Sequence, residues 1–149
     1  MKKIVMILLM ALLAFGADLK PKDFDEYLMS FNLQERKDMK IKSYEMLEMI
    51  KENKAILVDI RFREEYESWR MPFSINIPLN ELPSRLSELP KDKLIITACP
   101  HNDRSNMARI YLTMKGYNAK YLDDGLLKVA DFLRGDNAVE FIEEMKNRK

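Results

Sequence analysis

Two short apolar runs constrain this chain more than any other feature: Ala55-Ile56-Leu57-Val58-Asp59-Ile60 and Leu94-Ile95-Ile96-Thr97-Ala98. Neither alternates with polar residues, so each reads as a strand covered on both faces, the pattern of a parallel sheet. Between them, Glu64 to Trp69 reads as helical, Ser74-Ile75-Asn76-Ile77 as a strand closed by Pro78, and Leu82, Leu86 and Leu89 as a short Pro-bounded helical piece. Upstream, Met39-Lys40-Ile41 fits a short edge strand, and Ser43 is placed to N-cap a helix sending Tyr44, Leu47, Met49 and Ile50 to the core. Downstream, Met107, Ile110, Tyr111 and Met114 recur at helical spacing. Ala119 to Leu122 follows Gly116 as another strand, and Gly125 opens a last helical region ending in a helix over about 137–149. Strands alternating with helices predict an α/β fold, with a mainly parallel sheet of about five strands flanked by helices. In such sheets chemistry collects beyond the carboxyl ends of the strands.

Cys99, the only cysteine, stands at one of those ends. The segment Cys99-Pro100-His101-Asn102-Asp103-Arg104-Ser105 joins an apolar strand to a helix, and a compact loop there turns N–H groups inward. The dipole of the following helix adds to them, so a thiolate or anion at Cys99 is stabilised. Because the loop is polar and carries Pro and Asn, the sequence favours a reachable, reactive thiol over a buried core cysteine. His101 would line the pocket or stand idle on the loop.

Lys2 and Lys3, the apolar stretch Ile4 to Phe15, and the small residues Gly16 and Ala17 form a secretory signal pattern with cleavage after Gly16. About a dozen apolar residues are too few to span a bilayer, which takes about twenty. The expectation is an exported, periplasmic protein organised as a signal peptide (1–16), an N-terminal helical extension (17–38) and one domain (39–149). Phe24, Tyr27, Leu28 and Phe31 give the extension an amphipathic stripe that covers the domain's own core or, in a second reading, a homodimer contact. The formal charge of +1 becomes −1 when Lys2 and Lys3 leave, and the charges are interspersed, so no nucleic-acid footprint is present. One His and one Cys cannot supply the four ligands of a structural zinc site. The eleven methionines are read as core packing rather than copper ligands.

Over residues 39 to about 134 the chain resembles the rhodanese-like sulfurtransferases. The resemblance rests on Asp59-Ile60-Arg61, Glu65-Tyr66, Asn76-Ile77-Pro78, the loop from Cys99 through Arg104-Ser105, Gly116-Tyr117 and Tyr121-Leu122-Asp123-Asp124-Gly125-Leu126, all in order. It implies a rhodanese-like three-layer sandwich and a Cys99 persulfide that moves sulfane sulfur from thiosulfate, polysulfide or a persulfide to a thiol, cyanide or an acceptor protein. It implies no metal or other cofactor. Pro100, His101, Asn102, Asp103, Arg104 and Ser105 would form the active loop, with Arg104 fixing it or adding positive charge. An Arg five residues after Cys suits a persulfide, whereas the related phosphatases and arsenate reductases carry one residue more.

Three departures from the family's pattern bear on the donor. Asn102 replaces a frequent Gly and tolerates left-handed backbone, Pro100 removes an N–H beside the thiol, and Asp103 puts a negative charge in the loop. Arg70 would add positive charge near the site or stay solvated. Asp59 and Arg61 would form a buried structural pair, or Arg61 would face the anion. Besides the sulfurtransferase, two readings stay open: a noncatalytic sulfur-binding or protein-interaction module of the same fold, and a phosphatase or arsenate reductase, which the short loop and the lack of a second cysteine oppose.

Overall fold

In a computed structural model, which describes residues 23–147, the chain runs through α1 (Phe24–Ser30), α2 (Leu33–Asp38), β1 (Lys40–Ile41), α3 (Ser43–Lys51), β2 (Ala55–Asp59), α4 (Arg63–Ser68) and β3 (Ser74–Asn76). Two 3-10 turns, Leu82–Ser84 and Leu86–Glu88, lead to β4 (Leu94–Ala98), α5 (Asp103–Met114), β5 (Ala119–Leu122), α6 (Gly125–Phe132) and α7 (Gly135–Asn147). The signal-peptide segment, 1–16, lies outside the described residues.

Among the described residues, five strands make one parallel sheet in the order β1-β5-β4-β2-β3. β4 is central, paired with β2 from Ala55↔Leu94 to Asp59↔Ala98 and with β5 from Ile95↔Ala119 to Thr97↔Tyr121. The two-residue period of the strands divides their side chains between two apolar layers. Ala55, Leu57, Leu94, Ile96 and Ala98 pack with Met46, Leu47 and Ile50 of α3, Leu126 and Val129 of α6 and Phe141 of α7. Val58, Ile60, Ile95 and Cys99 pack on the other face with Ala108 and Leu112 of α5 and with Ile77, Leu82 and Leu89. Both central strands are covered on two sides, which is why they carry no polar alternation.

Three helix faces differ from the sequence expectation. On α3 the buried apolar residues are Met46, Leu47 and Ile50, while Tyr44 is exposed; the helix begins at Ser43, itself buried, whose N–H and hydroxyl both donate to Asp124 rather than capping it. On α5 the face on the sheet is Ser105, Ala108, Arg109 and Leu112, and Met107 is exposed. The extension forms two short helices, not one, because the chain is extended at Phe31 and Asn32, and Asn32 caps α2 through its side chain. Of its apolar stripe only Tyr27 is buried; Phe24, Leu28 and Phe31 are exposed.

Tyr27 explains the unexpected burial of Arg109. The Arg109 guanidinium donates to the Tyr27 hydroxyl and to Glu35, and Tyr27 also donates to Glu35 at 3.0 Å. Burial outweighs the nearby Arg109 charge and raises the Tyr27 phenol above its usual range. The extension is thereby tied to the helix that follows Cys99. Glu35→Ala leaves Arg109 without its carboxylate, and a loss of about 2 kcal/mol in unfolding free energy, measured by urea titration, is expected.

Candidate active site

Cys99 follows β4, and its neighbours on the sheet deliver the rest of the site: β2 ends at Asp59 and leads to Ile60-Arg61, and β5 leads to Asp123-Asp124-Gly125. The loop backbone is fastened to α6, since the Leu126 N–H donates to the Cys99 carbonyl at 2.9 Å and that of Leu127 to the Pro100 carbonyl at 3.4 Å. Gly125 makes this approach possible. Its φ is +74°, and a Cβ there would lie 2.2 Å from the Pro100 carbonyl oxygen and 2.6 Å from that of His101. Gly125→Ala therefore combines left-handed strain of about 1–2 kcal/mol with a backbone clash. Thermal unfolding is expected to show a lower midpoint.

Cys99 is fully buried, contrary to the exposure its polar surroundings suggest. Its side chain points to the α5 layer, in line with Ile95, and the polar residues after it turn outward over it. The thiol donates to Asp103 Oδ1 at 3.5 Å and lies 3.7 Å from Ser105 Oγ. Ser105 is itself buried and donates to the Asn102 carbonyl, while Thr97 Oγ1 donates to the Ser105 carbonyl at 2.8 Å. The Arg104 N–H and then the Cys99 thiol hold the Asp103 carboxyl below its usual range. His101 and Asn102 are exposed, and Pro100 is half-buried. Asn102 precedes α5 with φ −149°, so it does not adopt the left-handed backbone its residue type would tolerate; its side-chain amide donates instead to the Asp123 carbonyl.

Arg104 does not brace the loop. It reaches α4 and grips Glu65 through two parallel bonds of 2.7 and 2.9 Å. Glu65 Oε2 also accepts from the Phe62 N–H, so this carboxylate joins the start of α4 to the start of α5. Arg104 holds the Glu65 carboxyl below its usual range. A lowered folded value means that the contribution to stability is complete above the unfolded pKa of about 4.3 and disappears as pH falls through the lower folded value. Glu65→Gln is expected to flatten the acid limb of the stability profile, followed by urea midpoints between neutral pH and pH 3.

Asp59 and Arg61 form the buried pair. Arg61 donates from Nη2 at 2.7 Å and from Nε at 3.0 Å to Asp59, and from Nη2 to the Trp69 carbonyl. Its guanidinium also lies 4.1 Å from the Trp69 ring centre. Asn76 donates to the carbonyls of Asp59 and Arg61, and so fixes the end of β2 from β3. Arg70 is exposed and stacks over Tyr66, 5.4 Å from the ring centre. In the sequence Glu65 stands out only as part of a motif, and Gly125 only as the opening of a helical region. The signals were there: a carboxylate in the motif preceding a lone loop arginine, and a glycine at a strand-to-helix turn.

The parallel sheet, with a cysteine at the carboxyl end of its central strand beneath a helix start, defines a thiol-bearing α/β domain. The chain belongs to the rhodanese-like domain family, which matches residues 43–131. It is 37% identical over 63 residues to a sulfurtransferase of Allochromatium vinosum, a match covering 42% of this chain and 59% of that protein. With the thiosulfate sulfurtransferase GlpE of Pseudomonas syringae it shares 30% identity over 81 residues, 54% of this chain and 76% of the relative. The solved structure of a rhodanese-related protein from Thermoplasma volcanium superposes with a TM-score of 0.57 at 27% identity, covering 62% of this chain and 90% of that one. The extension that carries Tyr27 and Glu35 lies outside the family match.

Proposed function

We propose that this chain is an exported sulfurtransferase that carries sulfane sulfur as a persulfide on Cys99. The observation that carries the reading is the placement of Cys99 Sγ at the end of the central strand, beneath the first turn of α5. The Cys99 thiolate attacks the outer sulfur of a donor, the sulfur–sulfur bond of the donor breaks, and its electron pair leaves with the remaining fragment. With thiosulfate that fragment is sulfite, and with an alkyl persulfide it is a thiolate. A second nucleophile, such as cyanide, a thiol or a protein cysteine, then takes the outer sulfur and restores the Cys99 thiolate. The cysteine itself holds the transferred atom, so the cycle needs neither metal nor organic cofactor. Arg104 acts by fixing α5 against α4 through Glu65, and Arg61 by holding the sheet end through Asp59.

Burial of the thiol and its bond to Asp103 favour one second reading, a sulfur-binding module that loads but turns over slowly. Thiocyanate formation from thiosulfate or polysulfide plus cyanide separates the two. Many turnovers per Cys99 support the enzyme, and a single stoichiometric release supports the module.

A further inference from the structure

Asp103 is the first residue of α5, and its exposed side chain folds back toward the sulfur. Its Oδ1 lies 3.5 Å from Cys99 Sγ, and the Arg104 N–H at the helix start holds the same carboxylate. The loop thus applies donors suited to an incoming anion to an anion of its own. The Arg104 charge acts on both Asp103 and Cys99, but it and Arg61 are each already committed to another carboxylate. Arg104 is paired with Glu65 at 2.7 Å, and Arg61 with Asp59 at 2.7 Å, so each of these pairs is neutral. The Asp103 carboxylate is then the charge in hydrogen-bond contact with the thiol, with no carboxylate-free cation among the described residues paired to it.

A donor reaches Cys99 with its sulfane sulfur in contact with Sγ, which brings its own charge within a few ångströms of Asp103. Repulsion there scales with the donor's charge. A dianion is penalised twice as strongly as a monoanion of the same shape, and an uncharged persulfide is not penalised.

We propose that Asp103 is a specificity-determining residue that selects singly charged or uncharged sulfane-sulfur donors over dianionic thiosulfate. This rests on Cys99 being the sulfur carrier. Thiosulfate and methanethiosulfonate isolate the effect, because a methyl group in the second replaces one charged oxygen of the first. In both, the Cys99 thiolate bonds to the sulfane sulfur as the sulfur–sulfur bond breaks. The products are the Cys99 persulfide anion with sulfite in one case and with methanesulfinate in the other, and charge is conserved in each.

The test is kcat/KM for both donors, with cyanide as acceptor, in the unmodified chain, Asp103→Asn and Asp103→Glu. Asp103→Asn is expected to raise the thiosulfate-to-methanethiosulfonate ratio by about tenfold. In Asp103→Glu, which keeps the charge, the ratio is expected to stay near that of the unmodified chain. A purely structural Asp103 would lower both donors together and leave the ratio fixed in every variant, which overturns the proposal. Absence of a Cys99 adduct from either donor in the unmodified chain, read by intact mass, overturns the carrier reading and this proposal with it.

Discussion

Cys99→Ser is expected to lower sulfur transfer by at least about a thousandfold, because a serine hydroxyl forms no appreciable anion near neutral pH and cannot store sulfane sulfur. The fold survives the change. Asp103 Oδ1 and Ser105 Oγ, already within 3.5 and 3.7 Å of the sulfur, are placed to satisfy the buried hydroxyl, so the stability change is expected to stay within about 1–2 kcal/mol. Thiocyanate production and urea unfolding of the same preparation check both halves. Transfer at the unmodified rate would remove Cys99 from the mechanism.

Asp59→Ala is expected to cost about 3–5 kcal/mol. Both partners are buried, and removing the carboxylate leaves the Arg61 guanidinium hydrogen-bonded to the Trp69 carbonyl and stacked on its ring, with no carboxylate in hydrogen-bond contact. The cost belongs to the unpaired charge rather than to the worth of the pair. Asp59→Leu combined with Arg61→Met is therefore expected to recover much of the stability that Asp59→Ala loses. Denaturant midpoints of the two variants measure it. A loss below about 1 kcal/mol in Asp59→Ala would mean that water reaches Arg61.

The contrast between strands and helices explains how far the sequence could be read. Residues 55–60 and 94–98 are near-continuously apolar, which suits strands covered on both faces, and their alternation with helical segments points to a parallel sheet, as found. The faces of the helices are harder. Arg109 is buried because Tyr27 and Glu35, both far away in sequence, complete its hydrogen bonds; a helix pattern read alone assigns an arginine to solvent and moves the stripe onto Met107. Cys99 fails in the same way. Pro100, His101 and Asn102 suggest exposure, but the Cys99 side chain follows the two-residue period of β4 into the α5 layer, where it is fully buried. At Arg104 the residue was legible and its partner was not, because Glu65 lies on a helix that only the sheet order brings alongside. Local pattern reports what one segment needs, whereas these contacts depend on which segments the fold sets side by side.

The central claim is that Cys99 carries a transferable sulfur atom, and intact-mass spectrometry tests it most directly. The chain is measured before and after exposure to polysulfide or methanethiosulfonate, and again after a cyanide chase. A gain of one sulfur atom, about 32 Da, located on Cys99 and removed by cyanide, is the expected result. A free, reduced Cys99 that gains no sulfur from either donor would contradict it.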